Sequence, residues 1–123
     1  MSGKQYLADT NAFIYLLQKR PVVVSLLNSD WFFSFITEIE LLGKPRIGPG
    51  ELKRVRELLS VAKKLVHTDS INEKAISLRQ RYGIKVPDAI IAASAWQYDL
   101  PLITADVAFT KIKEVNILLL DIA

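Results

Sequence analysis

The chain has 123 residues, half of them hydrophobic and 24% charged, which suits one domain built around one core. It has no cysteine and a single histidine, which excludes disulfides, thiolate catalysis, cysteine-bound zinc or iron–sulfur centres and multi-histidine metal sites. The net charge of +3 is compatible with a nucleic-acid partner without establishing one, and no apolar run reaches the ~18 residues that span a bilayer.

The opening Met1-Ser2-Gly3-Lys4 carries one basic residue, and the apolar run after it stops at Asp9. That is too short for a signal-peptide core, so the expected location is the cytoplasm. Gln5 to Ala8 reads as a short buried strand. Asn11 to Lys19 reads as a helix with Phe13, Ile14, Leu16 and Leu17 on its apolar side. Pro21 opens a second helical segment, Val22 to Leu27, and Asn28-Ser29-Asp30 is a turn signal. Trp31 to Phe35 is aromatic and β-prone, and a short helix from Thr37 to Leu42 follows, stopped by Gly43. Residues 43–50 are rich in Gly and Pro and form a loop. Glu51 to Leu65 is amphipathic, with Leu52, Val55, Leu58, Leu59 and Ala62 on one face.

Val66 to Thr68 suggests a brief strand, with His67 at its edge. Ser70-Ile71-Asn72-Glu73 has the form of a capping box opening a helix to about Arg81, ended by Gly83. Pro87 starts another helix that runs to about Tyr98. Leu100 to Thr104 and Asn116 to Asp121 read as strands. Strands alternating with helices predict a three-layer α/β/α sandwich around a mostly parallel sheet, in which ligands bind beyond the carboxyl ends of the strands.

Four acids stand beside the apolar runs: Asp9, Glu40, Asp88 and Asp106. A buried carboxylate is costly unless it is paired or binds a cation, and none of the four is immediately flanked by Lys, Arg or His. Brought together, they would make an anionic pocket for a hard divalent metal. Each also has a purely structural reading. Asp9 with Thr10 and Asn11 could cap the first helix, Asp88 could complement a helix dipole, and Asp106 could be a turn residue. Glu40 lies between Ile39 and Leu41 and resists such a reading. Its neighbour Glu38 points about 200° away on a helix and is expected to be solvated.

The segments Leu7-Ala8-Asp9-Thr10-Asn11-Ala12-Phe13-Ile14, Ile36-Thr37-Glu38-Ile39-Glu40-Leu41-Leu42-Gly43, Val86-Pro87-Asp88-Ala89-Ile90-Ile91-Ala92-Ala93-Ser94-Ala95 and Leu102-Ile103-Thr104-Ala105-Asp106-Val107-Ala108-Phe109 resemble, in order and spacing, the four motifs of the PIN-domain family. The resemblance covers essentially the whole chain. It implies a Mg²⁺- or Mn²⁺-dependent ribonuclease with one or two ions, of the kind that serve as VapC-type toxins in toxin–antitoxin pairs. By motif match Asp9, Glu40, Asp88 and Asp106 take the acidic positions, Thr104 the hydroxyl position before the last acid, and Asn11 and Thr37 the polar supporting positions. Ala105 departs from the many relatives that carry a polar or basic residue there.

On that basis Asp9 and Asp88 are expected as direct metal ligands and Asp106 as a ligand directly or through water. Glu40 is expected as a ligand or as the group orienting the attacking water, and Thr104 and Asn11 as donors that hold the carboxylates still. RNA contacts are expected from Lys44 and Arg46 in the Gly/Pro loop and from Lys85, with Lys53, Arg54, Lys63 and Lys64 on the long helix, and Arg79 and Arg81, as further basic residues of the rim. The apolar Phe13, Tyr15, Val22, Val23, Val24 and Leu26 suggest a surface buried in a homodimer, a cognate antitoxin is a possible partner, and no membrane is implied. Two other classes compete. One is a non-catalytic RNA- or protein-binding module on the same scaffold. The other is a metal-dependent phosphatase, disfavoured because Asp9-Thr10-Asn11 lacks the Asp-x-Asp arrangement.

Overall fold

The computed structural model describes residues 4–18 and 29–120. Its elements, in chain order, are β1 (Gln5–Ala8), α1 (Thr10–Leu17), β2 (Asp30–Phe33), α2 (Phe35–Leu42), α3 (Pro49–Ser60), β3 (Lys63–Lys64), α4 (Asp69–Tyr82), α5 (Val86–Tyr98), β4 (Leu102–Thr104), a 3-10 turn (Val107–Lys111) and β5 (Ile117–Leu119). The expected helical segment at Val22 to Leu27 and the end of the last strand at Asp121 lie outside the described residues, as do Val22, Val23, Val24 and Leu26 of the suggested dimer surface.

All described strands pair in parallel, in the order β3-β2-β1-β4-β5. The chain builds outward from β1 through β2 to β3, then returns to add β4 on the other side of β1. The sheet therefore reverses its winding between β1 and β4, and parallel strands put both carboxyl ends on one edge. That junction is where an open α/β sheet leaves a crevice.

Alternation along the strands sorts the core into two layers. Leu7 of β1 and Leu102 of β4 face one side with Ile71, Ala75 and Leu78 of α4 and Ala89, Ile91, Ala92 and Ala95 of α5. Tyr6, Ala8, Phe33 and Ile103 face the other with Ala12, Phe13 and Leu16 of α1, Leu41 of α2 and Val55 and Leu59 of α3. Helices on both faces of a parallel sheet make the three-layer sandwich. Phe13 is fully buried within the chain and packs edge-on against Phe33 with ring centroids 5.9 Å apart. It is a core residue here, not part of an exposed dimer face, and a buried side chain of this size contributes roughly 1.5–3 kcal/mol.

Several boundaries differ from the sequence reading for local reasons. Ser34 accepts a hydrogen bond from the Ile36 amide (3.1 Å) and caps α2, so Phe35 begins a helix instead of ending a strand. The helix expected from Glu51 to Leu65 starts at Pro49 and stops at Ser60. Lys63 and Lys64 then form the edge strand β3 against Phe32 and Phe33, in place of a strand at Val66 to Thr68. His67 is exposed, contacts Asn72 (2.6 Å) and meets the Phe35 ring edge-on. Thr68, not Ser70, caps α4 by accepting from the Ile71 amide, since its β-branched backbone is already extended. Gly83 ends α4 in the left-handed region at φ 67°. Gly43 ends α2 for a different reason: a Cβ there would lie 2.5 Å from the Ile39 carbonyl oxygen.

Candidate active site

Asp9 follows β1 directly, and its amide donates to the Ile103 carbonyl of β4 (3.1 Å), which places it on the β1–β4 junction. Its side chain does two jobs. Oδ1 accepts from the Ala12 amide (2.8 Å) and caps α1, while Oδ2 accepts from the Thr104 hydroxyl. Asp9 is 4% exposed and Thr104 fully buried. Thr104 Oγ1 also accepts from the Asp106 amide (3.0 Å), and Asp106 Oδ1 caps the 3-10 turn by accepting from the Ala108 amide (2.9 Å). One hydroxyl thus ties the first acid to the backbone of the last. The capping and turn readings of Asp9 and Asp106 hold at the same time as their place in the site.

Asp88 stands in the first turn of α5, half-buried, where the helix runs back from the same sheet edge. Glu40 is in the last turn of α2. Asp9, Thr10, Asn11, Glu40, Asp88, Ile91, Asp106 and Phe109 line one cleft of about 180 Å³. All four predicted acids therefore share a cavity. They do not share a burial state: Asp9 is buried, Asp88 and Asp106 are half-buried and Glu40 is exposed. The expectation of a Glu40 enclosed by Ile39 and Leu41 is corrected on this point. Adjacent residues on a helix point about 100° apart, so Leu41 is buried while Ile39 is 60% exposed. Glu38 turns away to an ion pair with Lys64 (3.2 Å) and plays no part in the cleft.

The electrostatics follow from this crowding. Burial pushes the Asp9 carboxyl up from its ordinary 3.8 to about 6; hydrogen bonds from Thr104 and Ala12 oppose the rise, and Asp106 and Asp88 add to it. Asp88 is also raised, first by burial and then by Asp106 and Glu40, with Lys85 pulling the other way. Among the described residues no three His, Asp or Glu side chains form a compact metal-binding group. The carboxylates are engaged within the chain instead: Asp9 and Asp106 accept from the amides of their own helix caps and Glu40 from the Thr10 hydroxyl.

Of the supporting residues, Thr104 holds Asp9, while Thr37 is fully buried and touches the Thr10 hydroxyl (3.1 Å) rather than an acid. Asn11 lines the cleft with an exposed side chain. Thr10, Ile91 and Phe109 are cleft residues that the sequence reading passed over. Thr10 entered only with the helix cap of the first motif, where its position at the start of α1 was the available signal. Lys85 precedes α5 as its cap residue and acts electrostatically on Asp88. Lys44 is ion-paired with Glu51 (3.1 Å) in a second cavity of about 310 Å³ that shares Thr10 and Glu40 with the cleft. Arg46 is exposed in the loop at φ 61° and lines neither cavity described. Lys63 and Lys64 belong to β3, not to the long helix. Arg79 donates to the Ile84 carbonyl (3.1 Å) and Arg81 pairs with Glu114, so both are engaged in holding the fold.

The PIN domain family model matches residues 6–115. No curated protein matches the chain. Among solved structures, a toxin–antitoxin complex from Klebsiella pneumoniae contains a chain 33% identical, with a TM-score of 0.76 over 89% of this chain and 94% of that one. The DNA-bound VapBC of Salmonella typhimurium is similar in fold, at 21% identity and a TM-score of 0.84 over 94% and 98% of the two chains. VapBC-5 of Mycobacterium tuberculosis is also similar in fold, at 22% identity and a TM-score of 0.69 over 98% and 100%.

Proposed function

The chain belongs to the PIN domain family, and from that membership we propose that it is a VapC-like, divalent-metal-dependent ribonuclease and the toxin of a toxin–antitoxin pair. The observation that carries the reading is the meeting of Asp9, Glu40, Asp88 and Asp106 in one cleft at the β1–β4 junction. The solved structures of similar fold are a toxin–antitoxin complex and VapBC proteins, which supports an antitoxin as partner. RNA as substrate and a homodimer as the working form belong to the same proposal.

The donor set suits Mg²⁺ or Mn²⁺. The four acidic residues of the cleft offer only oxygen, and neither His nor Cys lines it. The upward shift of Asp9 and Asp88, driven in part by the other carboxylates, marks a site short of positive charge. Asp9, Asp88 and Asp106 would hold the metal, with Glu40 as a further ligand or as the acceptor that orients water. A bound divalent ion would supply an activated water at neutral pH and neutralise charge gathering on the phosphate.

The chain's own residues do the rest. Thr104 and the Ala12 amide fix both Asp9 oxygens, so that carboxylate meets the cleft in one orientation. Glu40, exposed at the cleft, would accept a proton from the attacking water or orient it. Phe109 and Ile91 wall the cleft with apolar surface. Lys85 beside Asp88, Lys44 in the adjoining cavity and Arg46 in the exposed loop would meet phosphates, which positions RNA without reading its sequence.

Purified protein incubated with RNA in Mg²⁺, Mn²⁺ or EDTA, beside Asp9→Asn and Asp88→Asn, tests the reading. Cleavage is expected only for the wild type with metal; cleavage that survives EDTA or either substitution refutes it. Growth arrest on expression, relieved by the product of an adjacent gene, tests the toxin role. The competing reading is a binding module without catalysis on the same scaffold. Its sign would be RNA retention with no cleavage under any metal.

A further inference from the structure

Glu40 is the one exposed acid of the four, yet it is not left to find its own position. The Thr10 hydroxyl donates to Glu40 Oε1, and Thr10 Oγ1 lies 3.1 Å from Thr37 Oγ1. An ionised carboxylate only accepts hydrogen bonds, so the single Thr10 proton is committed to Glu40, and Thr37 must be the donor in the other contact. The order of donation is therefore Thr37 to Thr10 to Glu40. Both donors of this relay are anchored. Thr37 is fully buried on α2, three residues before Glu40, and Thr10 is the first residue of α1, next to the Asp9 cap.

Glu40 also lines the neighbouring cavity, together with Arg54 and with Lys44, which is paired with Glu51 (3.1 Å); both cations would attract a released carboxylate. A glutamate swung that way would leave the acidic cleft. We propose that Thr10 is the positioning residue of the site: its hydroxyl, polarised by Thr37, holds Glu40 facing Asp9, Asp88 and Asp106 and keeps it from pairing with Lys44 or Arg54. The proposal rests on the nuclease reading for its consequence, but not for its geometry.

Thr10→Val removes the donor at nearly constant shape, Thr10→Ser restores it, and Thr37→Val cuts the relay one step back. In metal-free protein, NMR couplings along the Glu40 side chain should report one rotamer for the wild type and Thr10→Ser, and averaging or a new rotamer for Thr10→Val. For RNA cleavage, Thr10→Val should lower kcat roughly 10-fold with KM within about twofold, and Thr37→Val should lower it less. Thr10→Ser should recover most of the loss, and Thr10→Val should add nothing in a Glu40→Gln background. An unchanged Glu40 rotamer in Thr10→Val, or a Thr10→Val loss that persists in full in Glu40→Gln, overturns the proposal. A wild type that cleaves no RNA overturns the nuclease reading alone, and the rotamer measurement still decides the role of Thr10.

Discussion

Replacing the buried Asp9 by Asn should abolish function and yet stabilise the metal-free fold at neutral pH. Raising a carboxyl from 3.8 to about 6 corresponds to about 3 kcal/mol of preference for its neutral form. Because the folded pKa lies above the unfolded one, the unfolded chain releases this proton first. Stability from this group is therefore greatest at low pH, falls as pH rises from about 4 to about 6, and stays low above that. By pH 7.5 the wild type carries the whole penalty, and about 2 kcal/mol of it develops above pH 4.5. Asn removes the charge but fits the site less well. Its oxygen can still accept from the Ala12 amide, whereas its NH₂ faces the Thr104 hydroxyl that donated to Asp9. That mismatch costs about 1–2 kcal/mol. The net gain at pH 7.5 is then about 1–2 kcal/mol, or roughly 3–8 °C in Tm for a chain of this size. At pH 4.5 the two proteins should be level, or Asp9→Asn slightly less stable. Urea unfolding in EDTA at the two pH values measures the difference. An Asp9→Asn protein less stable than wild type by more than 1 kcal/mol at pH 7.5, or a difference that does not change with pH, would refute an uncompensated buried charge.

Mg²⁺ or Mn²⁺ should raise the wild-type Tm at pH 7.5 in a saturable way that EDTA reverses, and should do little for Asp88→Asn; calorimetry across a metal titration reads this. Glu40→Gln should lower RNA cleavage at least about 100-fold with stability within about 0.5 kcal/mol, because the side chain is exposed. Gly43→Ala should cost about 1–3 kcal/mol in denaturant unfolding, since its Cβ would meet the Ile39 carbonyl at 2.5 Å and push on the turn that carries Glu40. Tyr82→Phe removes a hydroxyl that donates to Glu114 (2.7 Å) and accepts from the Lys113 amide (3.2 Å), none of which lines the cleft, and should cost about 1–2 kcal/mol while cleavage stays within twofold.

What could be read from residue order alone was whatever depends on local rules. Gln5–Ala8 matched its strand, Gly83 stopped α4 as a left-handed residue must, and Pro87 fell in the first turn of its helix. Where two local signals competed, the sequence reading chose wrongly. Ser70 carried the capping-box signal, but Thr68, expected in a strand, keeps its extended backbone and takes the cap two residues earlier. Lys63 and Lys64 looked like helix surface until β2 offered them a partner, because an edge strand of two residues has almost no pattern of its own.

The four acids divide along the same line. Their identity and order, and the hydroxyl before Asp106, were legible because each motif is contiguous. Their environments were not, because burial is set by elements distant in sequence. Asp9 is buried because β4 lies beside β1, and Glu40 is exposed because its helix presents Thr37 and Leu41 to the core instead. Thr10 shows the difference most plainly. The sequence determined that a hydroxyl follows Asp9. Only the tertiary structure decided that this hydroxyl reaches Glu40 and Thr37 on another helix, since a hydrogen bond between residues 30 positions apart exists only once the sheet brings α1 and α2 together.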